Sequence, residues 1–354
     1  MKPEDPQTSP YSALNRRSFL QYAAMIGVGG KTLLQSRDAR AAVYAAKEAG
    51  GAASGWPEMT YRKLGRTGWN ASRLVMGCGA SLMFRERDAL LNAAFDAGVN
   101  VFDVGYRGYY RNAEEHLAPF INKVRDKVYL ISKAPADADI EPNDIVTPAQ
   151  AKAAAAIWGE RLDESLRELK VDRVDAYYLM ASYNPSLIAS DEIYRVFEDA
   201  KAAGKVSHLG LSTHRNAENV ILEAAETGRF DLAMIAITPA GWYDWENRSI
   251  LEGTKPMAEI KPVLDKVRAS GMGLVGMKAA RALAGLPFVG WFDQPDLFEN
   301  IYDEEFRAAK LSPFQRSYAY VLAHGLDVVN ADISTFAHLE ENVAAAVHSP
   351  SYFA

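Results

Sequence analysis

VFDVGYRGYYRNAEEHLAPF (residues 101–120), a polar helix tail, then KVYLISK (residues 127–133): the stretch from Val101 to Lys133 decides how the rest of the chain reads. Its pattern is a strand ending in a carboxylate at Asp103, a tyrosine-rich loop, a helix opening after Tyr110, and a second strand ending at Lys133. In a barrel of parallel strands the reactive groups gather at the strands' C-terminal ends, so an acid, a phenol and an amine placed there converge on one mouth. Such a trio is equipped to hand a proton to a carbonyl oxygen.

On either side of this stretch short apolar runs alternate with helical patterns. The expected strands are Arg73–Gly77, Val101–Val104, Val128–Ser132, Arg173–Met180, Ser207–Ser212, Asp231–Ile237, Gly273–Met277 and Asp327–Ala331. Eight strands with helices between them fit an α/β fold, a (β/α)8 TIM barrel. Leu162, Leu166 and Leu169, and again Leu339, Val343 and Val347, recur at helical spacing. Glycines at 98, 204, 271 and 325 close helices just before strands, where a left-handed cap lets the chain turn back. Ahead of the first strand, Leu64-Gly65 and Thr67-Gly68 are turn signals between extended runs, which predicts an N-terminal β-hairpin. A dinucleotide-binding fold of tandem halves would need Gly-x-Gly-x-x-Gly after its first strand; Gly77-Cys78-Gly79-Ala80-Ser81-Leu82 supplies only the first pair.

The two ends of the chain differ in character. Asn15-Arg16-Arg17-Ser18-Phe19-Leu20 resembles a twin-arginine export motif, followed by an apolar run from Tyr22 to Gly30 too short to span a bilayer, and by Ala39-Arg40-Ala41 as a small-x-small cleavage site. Residues 1–41 therefore read as a signal peptide and 42–58, small and Gly/Ala-rich, as a linker. The barrel is expected over residues 59–350. Export as a folded protein follows, with the twin-arginine machinery as a partner and a periplasm as the destination. The signal carries six Lys/Arg against three acids, so the remainder holds −9 where the whole 354-residue chain holds −6, which argues against nucleic acid and anionic membranes as partners. Cys78 is the only cysteine, so neither an intrachain disulfide nor a cysteine zinc cluster is expected, and no metal site is assigned. No later stretch is long and apolar enough to be a transmembrane helix. Two long connections, Thr238–Pro256 with Trp242, Tyr243 and Trp245, and Ala279–Pro313 with Phe288, Trp291 and Phe292, are either walls of a substrate pocket or packing over the barrel.

These blocks together resemble the aldo-keto reductase family across nearly all of Tyr61–Val347. Tyr61 to Gly68 resembles the family's opening hairpin, Phe102-Asp103 with Tyr110-Arg111-Asn112-Ala113-Glu114-Glu115 its Asp and Tyr block, and Ile131-Ser132-Lys133 its lysine strand. Ala203 to Ser212 resembles the segment entering the fifth strand, and His338-Leu339-Glu340-Glu341-Asn342 the helix that grips the adenosine end of the cofactor. The resemblance implies hydride transfer between a nicotinamide cofactor, NAD or NADP, and a small-molecule carbonyl or sugar-like substrate. Tyr110 would donate the proton, with Tyr106 and Tyr109 as rivals, Lys133 would favour the ionised phenol, and Asp103 would fix Lys133. Ser212, Thr213, Lys278, Glu341 and Asn342 are the candidate cofactor contacts.

The same resemblance exposes departures. The family's strand-four histidine falls on Met180, whose thioether cannot donate a hydrogen bond; His214 is a possible stand-in. Met234 stands where a glutamine holds the carboxamide, and Ile237-Thr238 where Tyr-Asn is usual. The arginine and lysine around the 2′-phosphate of NADP fall on His338 and near Asp332, which implies a reduced preference for NADP over NAD. The rival reading is a non-catalytic exported barrel that binds a ligand or a partner. A carboxylate pair, Asp103 with Asp332, is a weaker alternative because Lys133 makes Asp103 a poor acid.

Overall fold

The computed structural model describes residues 56–136, 140–284 and 294–348. The export signal, most of the linker and the end of the barrel at 349–350 lie outside them, as do Phe288, Trp291 and Phe292. The strands run in the order β1 (Tyr61–Lys63), β2 (Asn70–Ser72), β3 (Leu74–Gly77), β4 (Val101–Asp103), β5 (Tyr129–Ala134), β6 (Val174–Met180), β7 (Val206–Thr213), β8 (Leu232–Thr238), β9 (Gly241–Asp244), β10 (Ser249–Ile250), β11 (Gly273–Met277) and β12 (Val328–Asp332). Eight of them, β3 to β8 with β11 and β12, pair in parallel, and β7 pairs with β8 to close the barrel. All eight expected strands are present, with ends differing by up to two residues.

Parallel strands covered on both faces are apolar throughout rather than alternating. Accordingly β3, β6, β8 and β11 have no exposed residue. Two cores result. One fills the barrel with Val75, Val101, Ile131, Tyr178, Met234 and Val275; the other lies between strands and helices and holds Phe102, Trp158, Tyr177 and Phe197. Leu162, Leu166 and Leu169 turn inward from the helix Pro148–Leu169, which opens on a capping box between Thr147 and Gln150. Each fully buried large side chain of this kind contributes ~1.5–3 kcal/mol.

The hairpin β1–β2 pairs antiparallel, as its turn signals predict. Its turn pushes into the barrel's N-terminal end: Leu64 is wholly buried, Trp69 stacks on Tyr129 at 4.6 Å, and the Arg66 amide donates to the Gly271 carbonyl at 2.7 Å. A Cβ on Gly65, at φ +52°, would stand 2.3 Å from the Gly273 nitrogen, so only glycine permits this contact. The bottom of the barrel is thereby plugged.

Of the two long connections, Thr238–Pro256 is a second hairpin, β9 with β10, continuing β8 through antiparallel pairing. Trp242 and Tyr243 are buried in it as packing, whereas Trp245 reaches a cavity above the barrel, so both expectations for this loop hold in part. No described helix is long and apolar enough to cross a membrane.

Candidate active site

A cavity of about 720 Å³ opens over the C-terminal ends of the barrel strands. Asp103, Tyr106, Tyr109, Tyr110, Lys133, Met180, Ser212, His214, Lys278, Glu341 and Asn342 all line it. Thr213 does not: alternation along β7 turns Ser212 into the cavity and Thr213 away, and the Thr213 hydroxyl donates to the Arg215 carbonyl at 2.7 Å.

Asp103 is the last residue of β4 and Lys133 the last but one of its neighbour β5, and both line the cavity. The Lys133 ammonium donates to Asp103 Oδ2 at 2.5 Å and to the Val104 carbonyl at 2.7 Å, with both side chains almost fully buried. A third group completes the arrangement. Asn330, on β12 with only β3 between it and β4, donates through Nδ2 to the same Asp103 oxygen at 2.7 Å. Its amide fits because β3 carries Gly77 opposite; a Cβ there would lie 2.5 Å from Asn330 Oδ1. Burial pushes the Asp103 carboxyl above its usual value, opposed by Lys133 and by the hydrogen bonds from Lys133 and Asn330. Asn330 escaped the sequence reading, although an amide inside the apolar run Val328-Val329-Asn330-Ala331 is the signal that marks it.

Tyr110 ends a single helical turn, Arg107–Tyr110, that follows β4. Its ring lies in a slot between two glycines: a Cβ on Gly79 would meet the ring at 2.6 Å, and one on Gly105 at 2.8 Å. The Lys133 ammonium is 5.4 Å from the centre of that ring. The rivals are engaged otherwise. Tyr106 faces the Arg161 guanidinium at 4.6 Å, and Tyr109 stands edge-on to Tyr110 at 4.8 Å. Of the three tyrosines, Tyr110 is the one with its ring beside the buried ammonium.

At the cavity's other end, Asn342 is buried, Glu341 accepts from the Ser312 hydroxyl, and Asp332 and His338 share the wall. Lys278 follows β11 at φ +66° and Ala181 follows β6 at φ +56°. Left-handed backbone of this kind costs non-glycine residues ~1–2 kcal/mol each, and both strained residues sit on the cavity rim. Burial lowers the Lys278 ammonium below the ordinary lysine value, with Asp332 opposing and Arg281 and Lys133 adding to the shift. Cys78 is buried directly after β3, consistent with a small apolar role.

A model of the aldo/keto reductase family matches residues 74–276. Over 217 residues the chain is 27% identical to a 6-dehydroglucose reductase from Novosphingobium aromaticivorans, a match covering 51% of this chain and 67% of that one. Over 228 residues it is 29% identical to the uncharacterized oxidoreductase YrpG of Bacillus subtilis, covering 61% and 65% respectively. The chain thus spans about two thirds of the length of these curated relatives. Among solved structures, an aldo-keto reductase from Klebsiella pneumoniae in complex with NADPH superposes with a TM-score of 0.58 at 18% identity, covering 82% of this chain and 90% of that one. A Pseudomonas aeruginosa protein assigned to the same family gives 0.57 at 21% identity, covering 83% and 97%. At these identities the structural likeness speaks for the fold.

Proposed function

The chain belongs to the aldo/keto reductase family, and from that premise we propose that it is a nicotinamide-dependent oxidoreductase of a carbonyl or sugar-like substrate with Tyr110 as proton donor. The observation that carries this reading is the Lys133 ammonium, held by Asp103 at 2.5 Å and lying beside the Tyr110 ring. A phenol has an unperturbed pKa near ~10, so its conjugate base needs a neighbouring cation to form readily at neutral pH. Lys133 supplies that cation. Asp103 and Asn330 keep Lys133 in place, which spares the reaction the cost of reorganising it.

The residues fit a dinucleotide. The cavity runs without interruption from Glu341 and Asn342 to Tyr110 and Lys133, and its volume lies within the usual range for cofactor sites. On its wall Arg281 keeps a buried Nε without a hydrogen-bond partner, close to Lys278, so two cations stand ready for phosphate oxygens. Ser212 would hold the carboxamide, Lys278 and Arg281 the phosphates, and Glu341 and Asn342 the adenosine end. When bound, the nicotinamide ring supplies or accepts the hydride. Tyr110 gives its proton to the substrate oxygen in reduction and recovers it in oxidation, while Lys133 stays an ammonium, transfers no proton and stabilises the phenolate. Asp332 and His338 near the expected 2′-position favour NAD over NADP, since a carboxylate repels a phosphate and accepts from a ribose hydroxyl. A sugar-like carbonyl is supported by the relative named a 6-dehydroglucose reductase.

The second reading, a barrel that binds a ligand or partner without turnover, draws on Met180 and Met234, apolar side chains facing the cavity where hydrogen-bonding ones would serve catalysis. Native mass spectrometry of the purified protein, followed by fluorescence titration with NADH and NADPH, separates the two. Bound dinucleotide, or saturation with NADH at least as tight as with NADPH, is the expected result. No binding of either at millimolar concentration would leave the module, and a clear preference for NADPH would remove the part assigned to Asp332 and His338.

We further propose export through the twin-arginine route, on the strength of Arg16-Arg17 and the apolar run behind them. A reporter fused after residue 41 should reach the periplasm and should stay in the cytoplasm when both arginines become lysine; export of the Lys-Lys form would refute the assignment.

A further inference from the structure

The reaction as read above leaves one requirement unmet. Besides the proton donor, a carbonyl oxygen gaining negative charge needs a second hydrogen-bond donor, and Met180 at the end of β6 has none. Strand register shows what stands next to it. Met180 pairs with Ser212 on β7, and His214 is the first residue beyond that strand; Ser212 and His214 line the cavity and Thr213 does not. Among the described residues His214 makes no hydrogen bond, whereas His116, His208, His324 and His338 each contact an oxygen through Nδ1. His214 lines the cavity and its ring packs against that of Trp245 at 5.6 Å.

We propose that His214 is a further catalytic residue, an imidazole N–H donor to the substrate oxygen that takes over from β7 the task a side chain at position 180 would perform from β6. The inference rests on the oxidoreductase reading. No bond to His214 is made or broken: the hydride goes to carbon, the proton comes from Tyr110, and the imidazole contributes a hydrogen bond that strengthens as the oxygen gains charge. A donor of this kind works best if it stays neutral, since an imidazolium would compete with Tyr110 in giving up a proton. Burial, with the Lys278 and Lys133 ammonium groups close by, lowers the His214 pKa to about 3, so the neutral form persists across the physiological range. The Lys278 ammonium lies over the Trp245 ring at 4.4 Å, so His214, Trp245 and Lys278 form one packed group on the cavity wall.

Loss of such a donor lowers kcat by ~10²–10³. His214→Leu should show that loss with NADH binding unchanged by fluorescence titration, and adding Met180→His in the same chain should restore at least about tenfold, because the donor returns from the neighbouring strand. A second measurement does not need turnover: in the ¹⁵N-labelled protein with oxidised cofactor, sodium acetate should move one histidine side-chain resonance downfield, identified as His214 by its absence from His214→Gln. The proposal is overturned if His214→Leu keeps kcat within about threefold of the parent, or if acetate binds and moves no histidine resonance. Failure of the underlying reading looks different: Tyr110→Phe would remain active while the acetate response of His214 persisted.

Discussion

Replacing Tyr110 by Phe should lower kcat toward aldehydes and sugar carbonyls by ~10³–10⁴, the upper part of what a positioned acid or base contributes. The upper part is expected because the donor's conjugate base is served by an ammonium that is itself fixed, at 2.5 Å from Asp103 Oδ2 and 2.7 Å from the Val104 carbonyl. Phenylalanine keeps the ring that the Gly79 and Gly105 backbones enclose, so stability and cofactor affinity should change little. The loss would then lie in the chemical step, lowering kcat and kcat/KM together. Parallel Tyr106→Phe and Tyr109→Phe variants make the test decisive. If either of these loses activity while Tyr110→Phe retains it, the assignment of the donor moves along the loop.

Glu114→Gln should stabilise the protein by about 3 kcal/mol at pH 8 and by much less at pH 4. Glu114 opens the helix Ala113–Val124 and is completely buried; Oε1 accepts from the Ser132 hydroxyl at 2.6 Å, and Oε2 has no partner. Burial raises its carboxyl to about 7, with the Ser132 and Ser165 hydroxyls pulling the other way. A carboxyl raised in the folded state binds its proton more tightly there than in the unfolded chain. Its contribution is therefore full below the unfolded value of 4.5 and is lost as the pH rises through about 7. The amide has the same shape, can still accept from Ser132, and carries no charge to bury. Urea unfolding of both proteins at several pH values measures this directly. The difference between the two stability curves should grow between pH 4.5 and 8, and two parallel curves would disprove the assignment.

Much of the architecture was legible because the barrel obeys a local rule. Each strand is a short apolar run, the helices Pro148–Leu169 and Phe336–His348 carry apolar residues at helical spacing, and Gly98, Gly204, Gly271 and Gly325 mark the returns, all at positive φ in the structure. The acid and amine were legible for the same reason: Asp103 and Lys133 are charged residues at the C-terminal ends of short, mostly apolar strands. What escaped depends on contacts across the barrel. Asn330 matters because β12 lies next to β3 and reaches Asp103 more than two hundred positions away in sequence, a proximity only closure creates. The family resemblance sets Thr213 beside Ser212 as a pair for the carboxamide, yet a strand sends neighbours to opposite faces, and only Ser212 meets the cavity. The aromatic loop after β8 divided for a comparable reason: hairpin pairing of β9 with β10 buried Trp242 and Tyr243 and left Trp245 at the edge.

The side chains that fill the barrel, with Leu64, Gly65 and Trp69 packed beneath them, make the cavity over the strand ends a cup open away from that floor. Two molecules that must meet inside a cup share one doorway, and whichever lies deeper has to arrive before its companion and depart after it. Order of entry would then follow from depth in that cup, some distance from any group that touches either guest. A chain exported with its deeper guest already seated would carry that guest along, provided the shallower one came and went on the far side.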